Sequence, residues 1–228
     1  MWTVIAMPAG SRLQFGMRRQ GTRAYITVAG GIDGPLMLGS RSTHVRSGLG
    51  GLAGRALKKW DQLNIGPARA AAKHHVGRTL PESSRPRYQR AAAIRVVPGP
   101  QVDRFTDDAL ERLTSMPYRL TTESDRMGYR LQGLALTHRA SADIVSDAVS
   151  VGNIQVPADQ QPILLMADCQ TTGGYAKLAT MIAADRSCAA QVSPGDTLSF
   201  TVITHESAST LLRSAQAELD RLLPPHDA

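Results

Sequence analysis

The stretch from Ile154 to Tyr175 reads IQVPADQQPILLMADCQTTGGY. Its apolar part, residues 162–167, is short and bounded by turn residues, which is typical of a buried strand. The strand leads directly into residues 168–175, which contain a carboxylate, an amide, two hydroxyls and a pair of glycines. Because glycine lets a backbone approach a ligand closely, this segment indicates either a binding loop or a polar turn between two strands.

Short apolar runs of this kind recur along the 228 residues, which include 20 Gly and 13 Pro. That pattern favours a mainly β fold with minor α content, organised as one large domain or two small ones. We predict four segments. They are an N-terminal β region (1–65), a basic, partly disordered Ala/Pro/Ser-rich surface connection (66–93), a barrel region (94–204), and an amphipathic helix with a tail (205–228).

Local patterns predict the secondary structure in more detail. Strands are expected at 2–6, 21–32, 94–97, 118–120, 176–183 and 197–203. Helices are expected at 106–113 with Thr106 as N-cap, at 185–191, and at 207–223, the last docked on the barrel surface by its apolar face.

The net charge is +7, and 22 of the 26 basic residues are arginines. An arginine excess favours an acidic partner or a carboxylate substrate, although a GC-rich genome explains it equally well. Aromatic residues make up only 4% of the chain and are not interleaved with the basic ones, which argues against a nucleic-acid stacking surface.

Several chemistries find no support in the sequence. The two cysteines, Cys169 and Cys188, form no C-x-x-C pair, and Cys169 has no histidine nearby to activate it. No Walker loop occurs, and His74-His75 lacks metal-ligand spacing, so no metal site is predicted. Without a long apolar run or a signal-peptide pattern, the chain is expected to be soluble and cytoplasmic.

Two further polar clusters stand out. The segment 39–43 reads GSRST and surrounds Arg41 with hydroxyls, which suits an anion or carboxylate, or equally a solvated loop. In the segment 124–131, SDRMGYRL, we expect Asp125 to hold Arg126 or Arg130 in a charge-assisted pair, for structural or for functional reasons.

Four stretches taken in order, at 30–55, 95–106, 124–131 and 154–175, resemble the C-subunit family of bacterial 5-oxoprolinase. The same family is described as allophanate hydrolase subunit 2, KipA, or biotin-dependent carboxyltransferase. The resemblance implies barrel-like β lobes, the C-terminal one similar to cyclophilin. It also implies that this chain lacks the segment with which the family usually begins, and it departs from the family pattern in having Gln160 and Cys169.

The resemblance further implies an activity and partners. In 5-oxoprolinase, the C subunit works with a KipI-like B subunit, together with an A subunit, to hydrolyse the lactam of 5-oxo-L-proline to L-glutamate, with ATP as co-substrate. A related reaction passes a carboxyl group to urea from biotin carried on another chain. A third alternative is a KipA-like regulatory protein that binds a KipI-like kinase inhibitor.

For a lactam hydrolase, the residues suggest specific roles. Asp103, Asp125 or Asp168 positions water or moves a proton. Arg41, Arg126 or Arg130 holds a carboxylate. Carboxamides and backbone amides orient the lactam and stabilise negative charge on its oxygen, from Gln155, Gln170, Gly173 and Gly174. The other predicted substrate-binding residues are Ser42, Thr43, Arg55, Gln101, Thr171, Thr172 and Tyr175.

Overall fold

The computed structural model describes residues 1–68 and 70–222, which form two compact units. The N-terminal unit comprises Met1–Gly16 and Ala24–Pro86, and the C-terminal unit comprises Met17–Arg23 and the chain from Arg87 onward.

The N-terminal unit contains little regular structure. Strands β1 (Ile32–Asp33) and β2 (Asn64–Ile65) form an antiparallel pair, and 3₁₀ turns occur at Val45–Ser47, Ala70–His75 and Glu82–Ser84. The strand expected at 2–6 is reduced to one isolated bridge, and only the end of the strand expected at 21–32 forms. Residues that favour strands stay irregular here because strand formation depends on a partner strand and on burial.

The C-terminal unit is built on a closed barrel of seven strands. Its strands run in the order β10-β3-β11-β4-β5-β8-β7, and β6 and β9 form a separate two-stranded ribbon. The bounds are β3 (Ala91–Pro98), β4 (Tyr118–Leu120), β5 (Gly128–Gln132), β6 (Asp143–Ala148), β7 (Asn153–Gln155), β8 (Ile163–Leu165), β9 (Thr172–Tyr175), β10 (Lys177–Met181) and β11 (Thr197–Val202). This architecture confirms the mainly β, barrel-like prediction.

One pair of barrel strands differs from the rest. β3 and β11 run parallel over six residues, whereas every other barrel pair is antiparallel. Alternate residues of both strands point inward, where Ile94, Val96, Leu198 and Phe200 are buried. The Tyr118 ring packs against that of Phe200 with an edge-on geometry and 6.0 Å between centroids. The barrel interior is therefore one continuous apolar core.

The helices lie outside the barrel as α1 (Ala109–Ser115), α2 (Arg186–Ala189) and α3 (His205–Leu222), with 3₁₀ turns at Val102–Arg104 and Ala183–Asp185. α1 begins three residues after the predicted N-cap, Thr106, whose hydroxyl donates to the carbonyl of Thr137 at 3.3 Å.

The terminal helix starts earlier than predicted, and its predicted last residue, Leu223, lies outside the described residues. None of the helix residues whose burial is described is buried, so the expected docking on the barrel surface is wrong for most of its length. Its main contact is with the turn Ala183–Asp185. No described helix is both long enough and apolar enough to cross a membrane.

Candidate functional site

The paired glycines lie in a strand, which corrects their interpretation as a loop. Within the ribbon, Gly173 is opposite Asp147 and Thr172 is opposite Ala148. The carbonyl of Thr171 extends the pairing by accepting from the amide of Val149 at 3.0 Å. The glycines thus bring the ribbon backbone over the barrel rather than forming a flexible loop.

The glycines were expected to let the backbone approach another group closely, and at Gly173 the backbone does lie close to two side-chain carboxamides. A Cβ added to Gly173 would lie 2.6 Å from Nε2 of Gln155 and 3.3 Å from Nε2 of Gln170. At Gly174 the nearest atom, the carbonyl oxygen of Ile144, would be at an ordinary 3.6 Å. Only Gly173 is therefore required for the ribbon to pass this close to both amides.

A buried lysine lies beside this crossing. The Lys177 side chain is 2% exposed, and its Nζ donates to Oδ2 of Asp147 at 2.5 Å and to the carbonyl of Ala148 at 2.7 Å. A lysine ammonium has three N–H donors, so one donor is left after these two bonds among the described residues. Buried lysines are rare unless paired, and a buried, paired lysine next to converging amides is a functional-site candidate.

Asp147 is held as a carboxylate. The Lys177 ammonium lowers the pKa of Asp147 most, and the backbone amide of Ala148 and the Gln101 side chain lower it further. Gln101 connects both members of the pair. Its Nε2 donates to Asp147 Oδ2 at 3.1 Å, and its Oε1 accepts from the Lys177 backbone amide at 3.2 Å.

The barrel register brings Gln155 to the same place. Gln155 on β7 is directly opposite Lys177 on β10, is buried, and donates from Nε2 to the carbonyl of Tyr175 at 3.4 Å. We define the Lys177 cluster as Lys177, Asp147, Gln101, Gln155, Gln170 and Gly173. Four of these six were predicted from the sequence as substrate-binding residues, and together they offer a cation and three carboxamides, groups suited to an amide or carboxylate.

A second ionic group involves Asp168 and Arg126. Two parallel bonds join them, Nε to Oδ2 at 2.7 Å and Nη2 to Oδ1 at 2.9 Å. The predicted pairing of Asp125 with Arg126 or Arg130 is therefore wrong. Asp125 instead accepts from the backbone amides of Met127 and Gly128, an arrangement that fixes the turn before β5.

The other predicted residues of the C-terminal unit lie outside the Lys177 cluster. Arg130 is 3.8 Å from Glu123 on the surface, and Asp103 is exposed in the turn Val102–Arg104, which contacts β10. Burial raises the pKa of the Cys169 thiol, and the neighbouring Asp168 raises it further, so this thiol is less reactive than a free one.

Four predicted residues belong to the N-terminal unit and make local contacts there. Arg55 pairs with both oxygens of Asp61, and Arg41 lies 3.6 Å from Asp33 and donates to the carbonyl of Gly34. Thr43 and Ser42 pack against the glycines at 50–51, because Cβ atoms added there would collide with them.

A shallow cleft of about 280 Å³ lies beside the start of the ribbon, lined by His138, Ala140, Ser141, Ala142, Asp143, Ala158 and Gln160. His138 is 3.0 Å from the carbonyl of Val156 through its Nε2, which must carry the proton since a carbonyl only accepts. Gln160 adopts φ +62°, an unusual angle for a residue with a side chain.

Sequence reasoning missed Lys177, Asp147 and this cleft. A signal for Lys177 was present, because it is the one charged residue in the apolar run 176–184. Asp147 carried no comparable signal, since its role depends on the ribbon crossing the barrel. Within the described residues, no three His, Cys, Asp or Glu side chains are grouped to hold a metal ion.

Comparison with known proteins shows the family of the chain. Residues 1–202 match the family described as carboxyltransferase domain, subdomain A and B. The chain belongs to this carboxyltransferase-domain family. Its relatives include the 5-oxoprolinase C subunit of Escherichia coli, 37% identical over 97% of this chain and 70% of the relative. The urea amidolyase of Saccharomyces cerevisiae is 29% identical over 96% of this chain but only 13% of its own length.

Solved structures show the same fold. The urea carboxylase of Kluyveromyces lactis superposes with a TM-score of 0.80 at 27% identity, covering 90% of this chain and 20% of that protein. The urea amidolyase of K. lactis gives the same TM-score and covers 13% of that protein. The chain therefore corresponds to a small part of these large enzymes and to about two thirds of the E. coli relative.

Proposed function

We propose that this carboxyltransferase-domain protein is the C subunit of an ATP-dependent 5-oxoprolinase complex. In this complex it acts with a KipI-like B subunit, together with an A subunit, and it takes part in hydrolysing the lactam of 5-oxo-L-proline to L-glutamate. The observation that supports this most is the 37% identity to the E. coli 5-oxoprolinase C subunit, which extends along nearly the whole chain.

The chemistry of the Lys177 cluster fits such a substrate. A lactam presents one carbonyl acceptor and one N–H donor, which match carboxamide groups such as those of Gln155 and Gln170. When water attacks the lactam carbon, negative charge develops on the oxygen. A remaining N–H of the Lys177 ammonium, held by Asp147 in a largely water-free place, would stabilise that charge.

The carboxylates suggested by the sequence would supply the other functions. Asp103, Asp125 and Asp168 stay candidates for positioning water, and Arg130 stays a candidate for holding the substrate carboxylate. ATP would enter as co-substrate of the complex, and we assign no ATP-binding residues in this chain.

The test is turnover by the assembled complex. The chain would be co-purified with its two cognate partners, and ADP and glutamate release would be measured with 5-oxoproline. We expect both products in the wild-type complex and a loss of at least about 100-fold in kcat in a Lys177→Met complex that still assembles. A fully active Lys177→Met complex would remove the lysine from the mechanism, and an assembled wild-type complex without turnover would overturn the proposed reaction.

Carboxyl transfer of the urea carboxylase type is the second candidate, favoured by the structural likeness to K. lactis urea carboxylase. In that reaction biotin would be carried on another chain and would supply the activated carboxyl group. Lys177 and Gln155 would then hold the transferred carboxylate by charge and hydrogen bonding. ADP release that depends on urea and a biotin carboxylase, rather than on 5-oxoproline, would support this alternative.

A further inference from the structure

We propose that the Lys177 cluster selects amides whose N–H and C=O lie on the same side, as they do in a lactam, in urea and in a primary amide. Gln155 is the specificity-determining residue, because its Oε1 accepts the N–H while Lys177 donates to the C=O. The inference deepens the proposed function and rests on it for the placement of the substrate in this cluster. The selection itself follows from the hydrogen bonds that the side chains of the cluster leave unmade.

The lysine ammonium has one donor to spare. Lys177 Nζ donates to Oδ2 of Asp147 and to the carbonyl of Ala148, whereas an ammonium carries three N–H donors and no acceptor. Within the described part of the chain the third N–H has no partner. The lysine therefore offers a bound molecule a single donor.

The side chains next to the lysine hold it in place. Asp147 accepts from the backbone amide of Ala148 through Oδ1 at 2.7 Å, and from Lys177 and Gln101 through Oδ2. The other end of the Gln101 carboxamide accepts from the Lys177 backbone amide at 3.2 Å. The free donor of the lysine is thus fixed by contacts that a substrate need not replace.

Gln155 has one free carboxamide end. Its Nε2 donates to the carbonyl of Tyr175, and because a carbonyl only accepts, this contact distinguishes Nε2 from Oε1. Oε1 has no partner among the described residues, although Gln155 is only 2% exposed. Among those residues the one fully buried side-chain N or O atom without a partner is Oγ1 of Thr121. Oε1 of Gln155 therefore keeps contact with solvent, and a ligand can reach it from there.

The barrel places the two free groups next to each other. Lys177 on β10 is directly opposite Gln155 on β7, and side chains at paired positions stand on the same face of the sheet. The ribbon passes over them at Gly173, where an added Cβ would lie 2.6 Å from Nε2 of Gln155. One free donor and one free acceptor therefore lie side by side beneath the ribbon.

A donor beside an acceptor selects the geometry of an amide. The ring of a lactam holds the amide cis, so its C=O and N–H point to the same side and can meet Lys177 and Gln155 together. An open secondary amide is overwhelmingly trans, so its two groups point in opposite directions and only one of them can be bound. Urea and primary amides carry an N–H on the carbonyl side. The cluster therefore suits the substrates of both candidate reactions and disfavours peptide-like amides.

The test compares three molecules that carry the same carboxylate. They are 5-oxo-L-proline, its N-methyl derivative, which lacks the N–H, and N-acetyl-L-alanine, whose amide is open and trans. Binding to the assembled complex is measured without ATP by ligand-observed NMR, so that no turnover is needed. We expect the second and third molecules to bind at least about tenfold more weakly than 5-oxo-L-proline, because each leaves a polar group of the cluster without its partner.

A variant assigns this discrimination to one residue. Gln155→Met removes the acceptor and keeps a side chain of similar length, and Gln132→Met, at an exposed position of β5, is the matched control. We expect Gln155→Met to bind 5-oxo-L-proline about tenfold more weakly, and to bind the N-methyl derivative within about threefold of it. The control should keep the wild-type discrimination, and circular dichroism checks that each protein is folded.

Three results would overturn the proposal. They are equal binding of 5-oxo-L-proline and its N-methyl derivative by the wild-type complex, equal binding of N-acetyl-L-alanine, and unchanged discrimination in folded Gln155→Met. If that variant does not fold, the comparison of the three molecules on the wild-type complex decides.

Failure of this inference is distinguishable from failure of the proposed function. Turnover of 5-oxo-L-proline together with equal binding of its N-methyl derivative would retain the reaction and reject the selection. A complex that does not bind 5-oxo-L-proline, but binds urea about tenfold more tightly than its Gln155→Met form does, would retain the selection and reject the reaction. A complex that binds neither molecule would reject both.

Discussion

Lys177 and Asp147 form an ion pair whose two ends differ in their access to water. The lysine side chain is 2% exposed and the aspartate side chain 48% exposed, with 2.5 Å between Nζ and Oδ2. Water can therefore solvate the carboxylate if the lysine is lost, whereas little water can reach the ammonium if the carboxylate is lost.

This asymmetry predicts unequal costs for removing either partner. Asp147→Ala leaves a buried ammonium without its counter-ion, which lowers the unfolding free energy, whereas Lys177→Met leaves a carboxylate that water can reach. Urea unfolding at pH 7 should show a lower midpoint for Asp147→Ala than for Lys177→Met. Equal midpoints would contradict the asymmetry.

We also expect the stabilisation of the folded state by the Lys177–Asp147 pair to depend on pH in the acid range. Because the pKa of Asp147 is lowered in the folded state, its stabilisation is present above the pKa of an unfolded aspartate and is lost as the pH falls through the folded-state value. The difference in unfolding midpoint between wild type and Asp147→Asn should therefore narrow as the pH is taken below about 4.

The crossing of the ribbon over the barrel predicts different effects at two adjacent glycines. Gly173→Ala places a methyl group 2.6 Å from the Gln155 amide, so that side chain must shift, whereas Gly174→Ala meets ordinary contacts. We expect Gly173→Ala to reduce complex turnover by about tenfold or more, on the order of 1.4 kcal/mol in the activation free energy, and Gly174→Ala to change it little. Similar rates for the two variants would show that the position of Gln155 is unimportant.

Gln160 predicts a stabilising substitution. Its φ of +62° is costly for a residue with a Cβ, and glycine removes that cost. The change forfeits only a long hydrogen bond of 3.4 Å from Thr137. We expect Gln160→Gly to raise the unfolding free energy by about 0.5–1 kcal/mol in chemical denaturation, after allowing for the entropy of glycine in the unfolded chain. Destabilisation would mean that the side chain contributes more than this geometry indicates.

Asp168 offers a direct test of one role suggested by the sequence. Its partner Arg126 is largely exposed, so Asp168→Asn should cost only about 0.2–1 kcal/mol of unfolding free energy. If Asp168 positions water or moves a proton, turnover of the complex should fall by about 100-fold or more, far beyond that structural cost. Turnover close to wild type would remove Asp168 from the mechanism.

The burial of Tyr118 leads us to expect a loss of folded-state stability at alkaline pH. Burial raises its pKa to about 12, and its hydroxyl donates to the carbonyl of Leu134 at 2.9 Å. Because the folded-state pKa is raised, its stabilisation is complete below the unfolded value near 10 and is lost as the pH rises through about 12. Absorbance at about 295 nm should show one tyrosine titrating near pH 12 that is missing in Tyr118→Phe, which should also lose about 1 kcal/mol at pH 7. An unchanged titration curve would reject this assignment.

The sequence predicted barrel strands well where the inward-facing positions of a short run are apolar and buried. The runs at 94–97, 118–120, 162–167 and 197–203 all contain barrel strands in the structure. The expected strand at 21–32 largely failed because strand propensity reflects packing against neighbours, and the N-terminal unit provides almost none.

The candidate site was predicted only in part, because some of its residues are brought together by pairing between distant strands. Gln155 and Gln170 stood near the conspicuous glycines, and local composition was enough to find them. Asp147 reaches Lys177 only because β6 pairs with β9 and Gly173 lets the ribbon pass close to the barrel. Contacts between segments so far apart in sequence depend on register, which composition does not encode.

Because β3 pairs in parallel with β11, the barrel can close only after β11 has been synthesised. The first barrel strand begins at Ala91, and the strand that joins it to β4 begins at Thr197, so about 100 residues must be made before the cylinder closes. At ribosomal speeds that interval is on the order of 5–20 s. During this interval, the edge of β3 that later pairs with β11 has no partner strand in the nascent chain. Aggregation during expression should therefore increase sharply for chains that end before Thr197.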